Sequence, residues 1–311
     1  MEEALLQLGR WLGAANYRFI TTTPATHARV NARPHAAQAR SLRDVFGWSR
    51  PFDADLLPAR VLDWLSGGGL LHDGPRLRSR VRFSSLDDQL YAHSSYPTAD
   101  ADSVFFGPDT YRFAALIRAE LERQPLHRGA RILDVGCGAG PGGMVAALES
   151  NRFAPALMLA DINPQALRYA RANAALAALQ DVTFIESDLY ASAGGDFDLI
   201  VANPPYLVDP SARTYRNGGG RLGGGLSERI LTEGLALLAP GGRLLLYTGA
   251  AIVAGTDPLF EALQLTLRPR GWPFTYRELD PDVFGEELEL SAYAQADRIA
   301  AVGLVVQRPA S

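Results

Sequence analysis

The stretch Leu133-Asp134-Val135-Gly136-Cys137-Gly138-Ala139-Gly140-Pro141-Gly142 decides how the chain folds. An apolar strand runs into it and a helix leaves it. Gly136, Gly138 and Gly140 permit a tight turn and let a ligand lie against bare backbone at a helix N-terminus. Dinucleotide-binding folds carry a similar turn, so the glycines alone do not choose the ligand. At the strand end, the Asp134 carboxylate repels a pyrophosphate but anchors a cationic amino acid moiety. Asp161 follows 27 residues later, in Leu159-Ala160-Asp161-Ile162-Asn163. It ends the next strand, where it can accept both hydroxyls of a ribose. Asp188, after the third strand, can accept from an adenine amine. Each acid taken alone could be a helix cap or turn residue. Three at successive strand ends line the crevice where open parallel sheets bind ligands.

Outward from this turn, strands are predicted at 131–135, 156–161, 182–186, 197–202, 243–248, 274–279 and 299–307. Helices fit at 110–123, 142–150, 165–178, 227–238 and 258–267. The alternation predicts an α/β fold: a seven-stranded, doubly wound, mostly parallel Rossmann-like sheet. Residues 105–311 form this domain, and 1–104 form a smaller helical domain that precedes it. In the smaller domain, Leu5, Leu6, Leu8 and Leu12 mark a first helix, 30–46 a second and 52–65 a third. Two strands follow at 77–83 and 89–93, joined by a polar turn at 84–88, and helices followed by a hairpin resemble a winged helix.

The fourth predicted strand ends in Ala202-Asn203-Pro204-Pro205-Tyr206. Nitrogen methylation needs a planar amide or amine held with its lone pair aimed at an electrophilic methyl. The Asn203 side-chain oxygen and the Pro204 carbonyl can each accept one N–H, orienting that lone pair and favouring positive charge on the nitrogen. Pro205 stiffens the turn, and the Tyr206 ring offers a surface for stacking on a flat substrate. Asn-Pro-Pro also occurs as a plain loop string; its place at a parallel strand end favours the chemical role.

Glycine turn, two further acids and Asn-Pro-Pro-Tyr, in that order, resemble the class I S-adenosylmethionine-dependent methyltransferases. The similarity is strongest to the branch holding the release-factor glutamine methyltransferases and the methyltransferase small domain enzymes, and covers about residues 105–310. The resemblance implies an N-methyltransferase with S-adenosyl-L-methionine as cofactor. It would be bound by Asp134, Gly136, Gly138, Gly140, Asp161, Asp188 and Asn203, with Asn203, Pro204 and Tyr206 as catalytic residues. It implies as acceptor a glutamine side chain of a release-factor-like protein; the same chemistry also serves an exocyclic amine, adenine N6 or guanine N2, in rRNA or other nucleic acid. Relatives place a segment closing over the cofactor where Phe106-Gly107-Pro108-Asp109-Thr110-Tyr111-Arg112 stands, and carry a Gly-Gly segment like the one after Tyr215. The extra glycines here read either as a mobile lid or as a plain flexible loop.

Composition narrows the field further. Hydrophobic residues are 47% and charged residues 21% of the 311, ordinary for a globular chain. No apolar run approaches membrane-spanning length, and the single cysteine, Cys137, fits a reducing cytoplasm and reads as a small filler in the glycine loop. The five histidines show no metal-ligand spacing, so no metal is expected. Net charge is −4, and the one basic run is Arg76, Arg78, Arg80 and Arg82. Alternate positions put all four on one strand face, either as a solvated edge that resists aggregation or as a phosphate contact.

Overall fold

The computed structural model describes residues 1–98, 100–209 and 216–310. Contacts divide the chain into two compact units. One is Met1–Tyr111 with Gly138–Pro141 and Asn163–Gln180; the other is Arg112–Cys137 with Gly142–Ile162 and Asp181–Ser311.

The first unit opens with α1 (Glu2–Ala14), whose Leu5, Leu8 and Leu12 recur at helical spacing and are fully buried. The expected second helix is broken into α2 (Pro24–Asn31) and α3 (Leu42–Phe46). Pro34 disfavours helix at the residue before it, and Arg33 is extended (φ −68°, ψ 143°). Pro58 acts likewise on the third: Leu57 is extended and α4 runs only over Ala59–Gly67. The hairpin is shifted from its expected place, pairing β1 (Val81–Leu86) with β2 (Gln89–Ser94) about Asp87 and Asp88. A further helix, α7 (Pro164–Leu176), belongs to this unit. Its Ala166, Tyr169 and Ala172 join Leu5, Leu8, Leu12, Phe46, Val61, Phe83 and Ala92 in one core. Asn173 of α7 is 1% exposed. It accepts from the Ala92 N–H (2.8 Å) and donates to the carbonyls of Ala92 and Ala139 (3.0 Å each). One amide therefore fastens the hairpin to the glycine turn.

The arginine run does not form the exposed strand face expected of it. The strand begins only at Val81, and the chain before it makes isolated bridges, Leu77 to Phe52 and Ser79 to Leu71. Arg82, inside β1, is 5% exposed. Arg78 donates to the carbonyls of Ser49 (2.8 Å) and Tyr96 (2.9 Å), and Arg80 to that of Leu71 (3.0 Å). Arg78 and Arg80 thus spend donors on backbone acceptors, and the run does not share one strand face.

The second unit is a seven-stranded sheet in the order β5-β4-β3-β6-β7-β9-β8. Its strands are β3 (Arg131–Val135), β4 (Ala156–Asp161), β5 (Val182–Glu186), β6 (Phe197–Ala202), β7 (Leu238–Ile252), β8 (Phe274–Asp280) and β9 (Arg298–Gln307). β9 is antiparallel to both of its neighbours, so it alone runs against the rest. The long β7 shows how the sheet is covered on two faces. Leu244 and Leu246 share a core with Ile230 and Leu231 of α8 (Gly225–Gly234) and Leu263 of α9 (Pro258–Leu267). The alternate residues Arg243 and Tyr247 meet α5 (Pro108–Arg123), Tyr247 against Phe113 and Arg243 against Glu120. α6 (Pro141–Glu149) follows β3.

Two predictions follow from this packing. A chain starting at Ser103 leaves Ala166, Tyr169 and Ala172 without the α1 and hairpin surfaces that bury them. We expect it to aggregate and to show no cofactor heat in calorimetry; a monomeric, cofactor-binding product would overturn this account of α7. Arg243 and Glu120, 2% and 7% exposed, pair at 2.8 Å. Glu120→Ala strands a buried guanidinium and should cost about 3–5 kcal/mol in denaturant unfolding, whereas Glu120→Leu with Arg243→Met should cost far less.

Candidate active site

Parallel pairing builds the site. Val135 of β3 pairs with Ala160 of β4 and with Ala202 of β6. The next residues, Gly136, Asp161 and Asn203, therefore emerge at one level at the carboxyl ends of three adjacent strands. Strand order reverses between β3 and β6, the position where open α/β sheets form a ligand crevice. Gly136, Gly138 and Gly140 all have positive φ (65°, 54° and 86°), a backbone conformation that glycine adopts without steric cost. Gly138 and Gly140 lie in the first unit; Asp134, Gly136, Asp161, Asp188 and Asn203 lie in the second.

The acids differ in environment. Asp134 is 2% exposed, and its Oδ2 accepts from the Gly143 N–H at 2.7 Å, near the start of α6. Burial, with the nearby Asp161 charge adding to it and the Gly143 bond opposing, pushes its carboxyl up to about 7. Asp161 is buried, and its carbonyl accepts from Ser187 at 3.0 Å. Asp188 is exposed beside Arg229 of α8, 3.6 Å away. Burial, reinforced by Asp161 and Asp134, drives the Cys137 thiol well above its ordinary range, which suits a filler rather than a nucleophile.

Asn203 is half-buried, and among the described residues its side chain makes no hydrogen bond. Pro204 is buried behind it. Tyr206 departs from expectation: its ring is 7% exposed rather than offered to a substrate. Tyr247 and Phe284 meet it edge-on, at centroid distances of 6.4 and 5.8 Å. Space for the ring comes from Gly249 on β7, where a Cβ would fall 2.3 Å from Tyr206 Cδ2. The ring is a wall of the turn.

Nor is the described part of the glycine-rich segment a loose loop; Tyr215 lies outside the described residues. The Gly218 N–H donates to the Leu207 carbonyl (2.8 Å), and Leu226 N–H to that of Gly218 (2.8 Å). At Gly223, with φ +82°, a Cβ would lie 2.2 Å from the Tyr206 carbonyl oxygen, so only glycine allows the two backbones this approach. Sequence reading also missed what holds the far side. Arg216 donates to Glu287 and lies 3.9 Å from Asp209, and the Val208 N–H donates to the Tyr293 hydroxyl at 2.9 Å. The only signal for these was the acidic run 286–289.

Asp161 and the Asn203 amide, level with Gly136, suit a ligand with a ribose, and the buried Asp134 suits one with a cationic end, the chemistry of S-adenosylmethionine. Because the folded-state value of Asp134 lies above the unfolded one, its stabilising contribution is complete at low pH. It is lost as pH rises through about 7, where a buried anion forms. A cationic ligand needs that anion. Affinity for S-adenosylmethionine should therefore fall by up to about tenfold per pH unit below 7. Calorimetry between pH 5.5 and 8 tests this, and a flat profile would place the cationic end away from Asp134.

Residues 114–253 match the methyltransferase small domain family. The release factor glutamine methyltransferase of Deinococcus radiodurans is 34% identical over 226 residues, 68% of this chain and 74% of that protein. That of Rhodospirillum rubrum is 34% identical over 272 residues, 78% and 79% of the two chains. The tRNA1(Val) (adenine(37)-N6)-methyltransferase of Aeromonas hydrophila is 34% identical over 136 residues, 41% of this chain and 55% of that one. On the strength of the first two matches and of the sheet that carries the motifs, the chain belongs to the release factor glutamine methyltransferase family, within the class I S-adenosylmethionine-dependent N-methyltransferases.

Proposed function

We propose that this enzyme methylates the side-chain amide nitrogen of a glutamine in a loop of a protein partner of the release-factor kind. The observation that carries the reading is Asn203, half-buried and unengaged, level with Gly136 and Asp161 at the strand-order reversal. The relatives that match most of the chain are named for that reaction.

When bound, the cofactor supplies an electrophilic methyl. The chain's residues do the rest. Asp161 would accept the ribose hydroxyls and Asp188 the adenine amine, and the glycine turn would admit the ligand against its backbone. The Asn203 oxygen and the Pro204 carbonyl accept the two N–H groups of the amide. Both sit on a turn braced by Tyr206, Gly218 and Gly223, so little reorganisation is needed as positive charge develops on nitrogen. The chain's part is to hold that nitrogen's lone pair toward the methyl that the bound cofactor would present. The nitrogen, made acidic by methylation, then loses a proton to solvent, and no strong base is required. Residues 1–104 are proposed to select the partner. The arrangement of Arg78, Arg80 and Arg82 weighs against a nucleobase acceptor, since no arginine strand face is offered to phosphates.

Asn203→Ala should lower methyl transfer by about 10²–10³, as loss of one preorganised hydrogen-bonding group does elsewhere, and leave cofactor affinity within a few-fold. Mass spectrometry of a release factor incubated with enzyme and cofactor should show one methyl on a single glutamine. Label appearing in rRNA or tRNA instead would replace the protein reading with the nucleobase one. Full activity in the variant would remove Asn203 from the mechanism.

A further inference from the structure

Arg82 has no task in this reaction, yet it lies buried in the first unit. The residue is 5% exposed, and its Nε and Nη2 are buried without a hydrogen-bond partner among the described residues. The polar groups beside it on the hairpin are already engaged. His93, opposite Arg82 in the β1–β2 register, contacts the Ser94 carbonyl through Nδ1 (3.0 Å) and Ser84 Oγ through Nε2 (2.7 Å); Ser84 in turn meets Thr21 Oγ1. The Tyr17 hydroxyl donates to the Phe83 carbonyl at 2.9 Å. Groups that act on Arg82 through charge are the hydroxyls of Tyr17, Tyr111 and Tyr96, with no carboxylate among them. Burial lowers its pKa to about 10, so the guanidinium stays charged at neutral pH.

The two unpartnered atoms are informative because of where they lie on the group. Nε–H and the adjoining Nη2–H form the side edge of the guanidinium fork, the edge that matches two coplanar oxygens of one oxyanion. The surroundings also suit an anion held near apolar surface. The guanidinium carbon lies 5.5 Å from the Phe19 ring centroid. Phe19 meets Trp48 edge-on at 5.2 Å, and His27 lies 5.3 Å from Trp48 and 4.2 Å from Tyr96. His27 is 1% exposed, and its Nε2 is likewise buried without a hydrogen-bond partner among the described residues. Half-buried Trp48 and Tyr96 form the more solvent-accessible side of the cluster.

We propose that the Arg82 side edge, with His27, is a binding site for one small free oxyanion of the carboxylate or phosphate class, separate from the methyl-transfer site. Bound there, the anion pairs a buried charge that the fold leaves unpaired, and it stabilises the unit that the hairpin and α7 build. The site is independent of which macromolecule is methylated.

The test titrates the full-length protein with inorganic phosphate and, separately, with acetate, each against chloride at equal ionic strength, following heat and thermal midpoint. Wild type should show saturable, one-to-one binding of at least one oxyanion and a midpoint that rises with its concentration. The stronger of the two arms tells phosphate from carboxylate. Arg82→Met should lose the response and be no less stable than wild type in chloride. Arg82→Lys, which keeps the charge but lacks the fork, should weaken binding at least tenfold. No saturable response in wild type, or the same response in wild type and either variant, overturns the proposal.

Discussion

Everything at the proposed methyl-transfer site depends on the parallel register of β3 with β4 and β6. Because Val135, Ala160 and Ala202 pair across three strands, Gly136, Asp161 and Asn203 leave the sheet at one level. A slip of one residue in any of these strands would turn its terminal side chain to the other face. Burial of apolar residues on both faces of the sheet makes such a slip costly. The same register brings Asp134 and Asp161 close enough for one charge to resist the other. That repulsion suits a site built for a cationic ligand, which relieves it.

The catalytic turn is stiff for reasons spread along the chain. Tyr206 is enclosed by rings from β7 and from the turn at Phe284, with Gly249 leaving room for it. Gly218 and Gly223 lay their backbone against residues 205–207. Arg216, Glu287 and Tyr293 tie down Val208 and Asp209. A group that must accept hydrogen bonds from a weakly nucleophilic amide gains from such bracing, since acceptors already in place need not reorganise.

In the first unit, α7 gives its apolar face to the same core as α1 and the hairpin, while Asn173 links that hairpin to the glycine turn. The N-terminal residues therefore share their core with a helix that lies far along the chain. Among the described residues Arg82 leaves two fork atoms buried without a hydrogen-bond partner, a local conflict of the kind that functional positions carry.

By itself the sequence determined the alternation of strands and helices, the positive-φ glycine turn, the strand-end acids and the Asn-Pro-Pro turn. These are local properties, set by apolar periodicity and by residues with special backbone demands, and they survive without knowledge of the fold. It also held the breaks at Pro34 and Pro58, whose effect on the residue before each is local, although apolar spacing suggested longer helices there. Tertiary structure alone decided the rest. Arginines at alternate positions looked like one strand face until the strand proved to begin at Val81, and the Tyr206 ring looked available until residues 41 and 78 positions further along enclosed it. Whether a loop of glycines is loose or packed, and which helix completes which core, depends on partners distant in the chain, and no local pattern encodes which partners those will be.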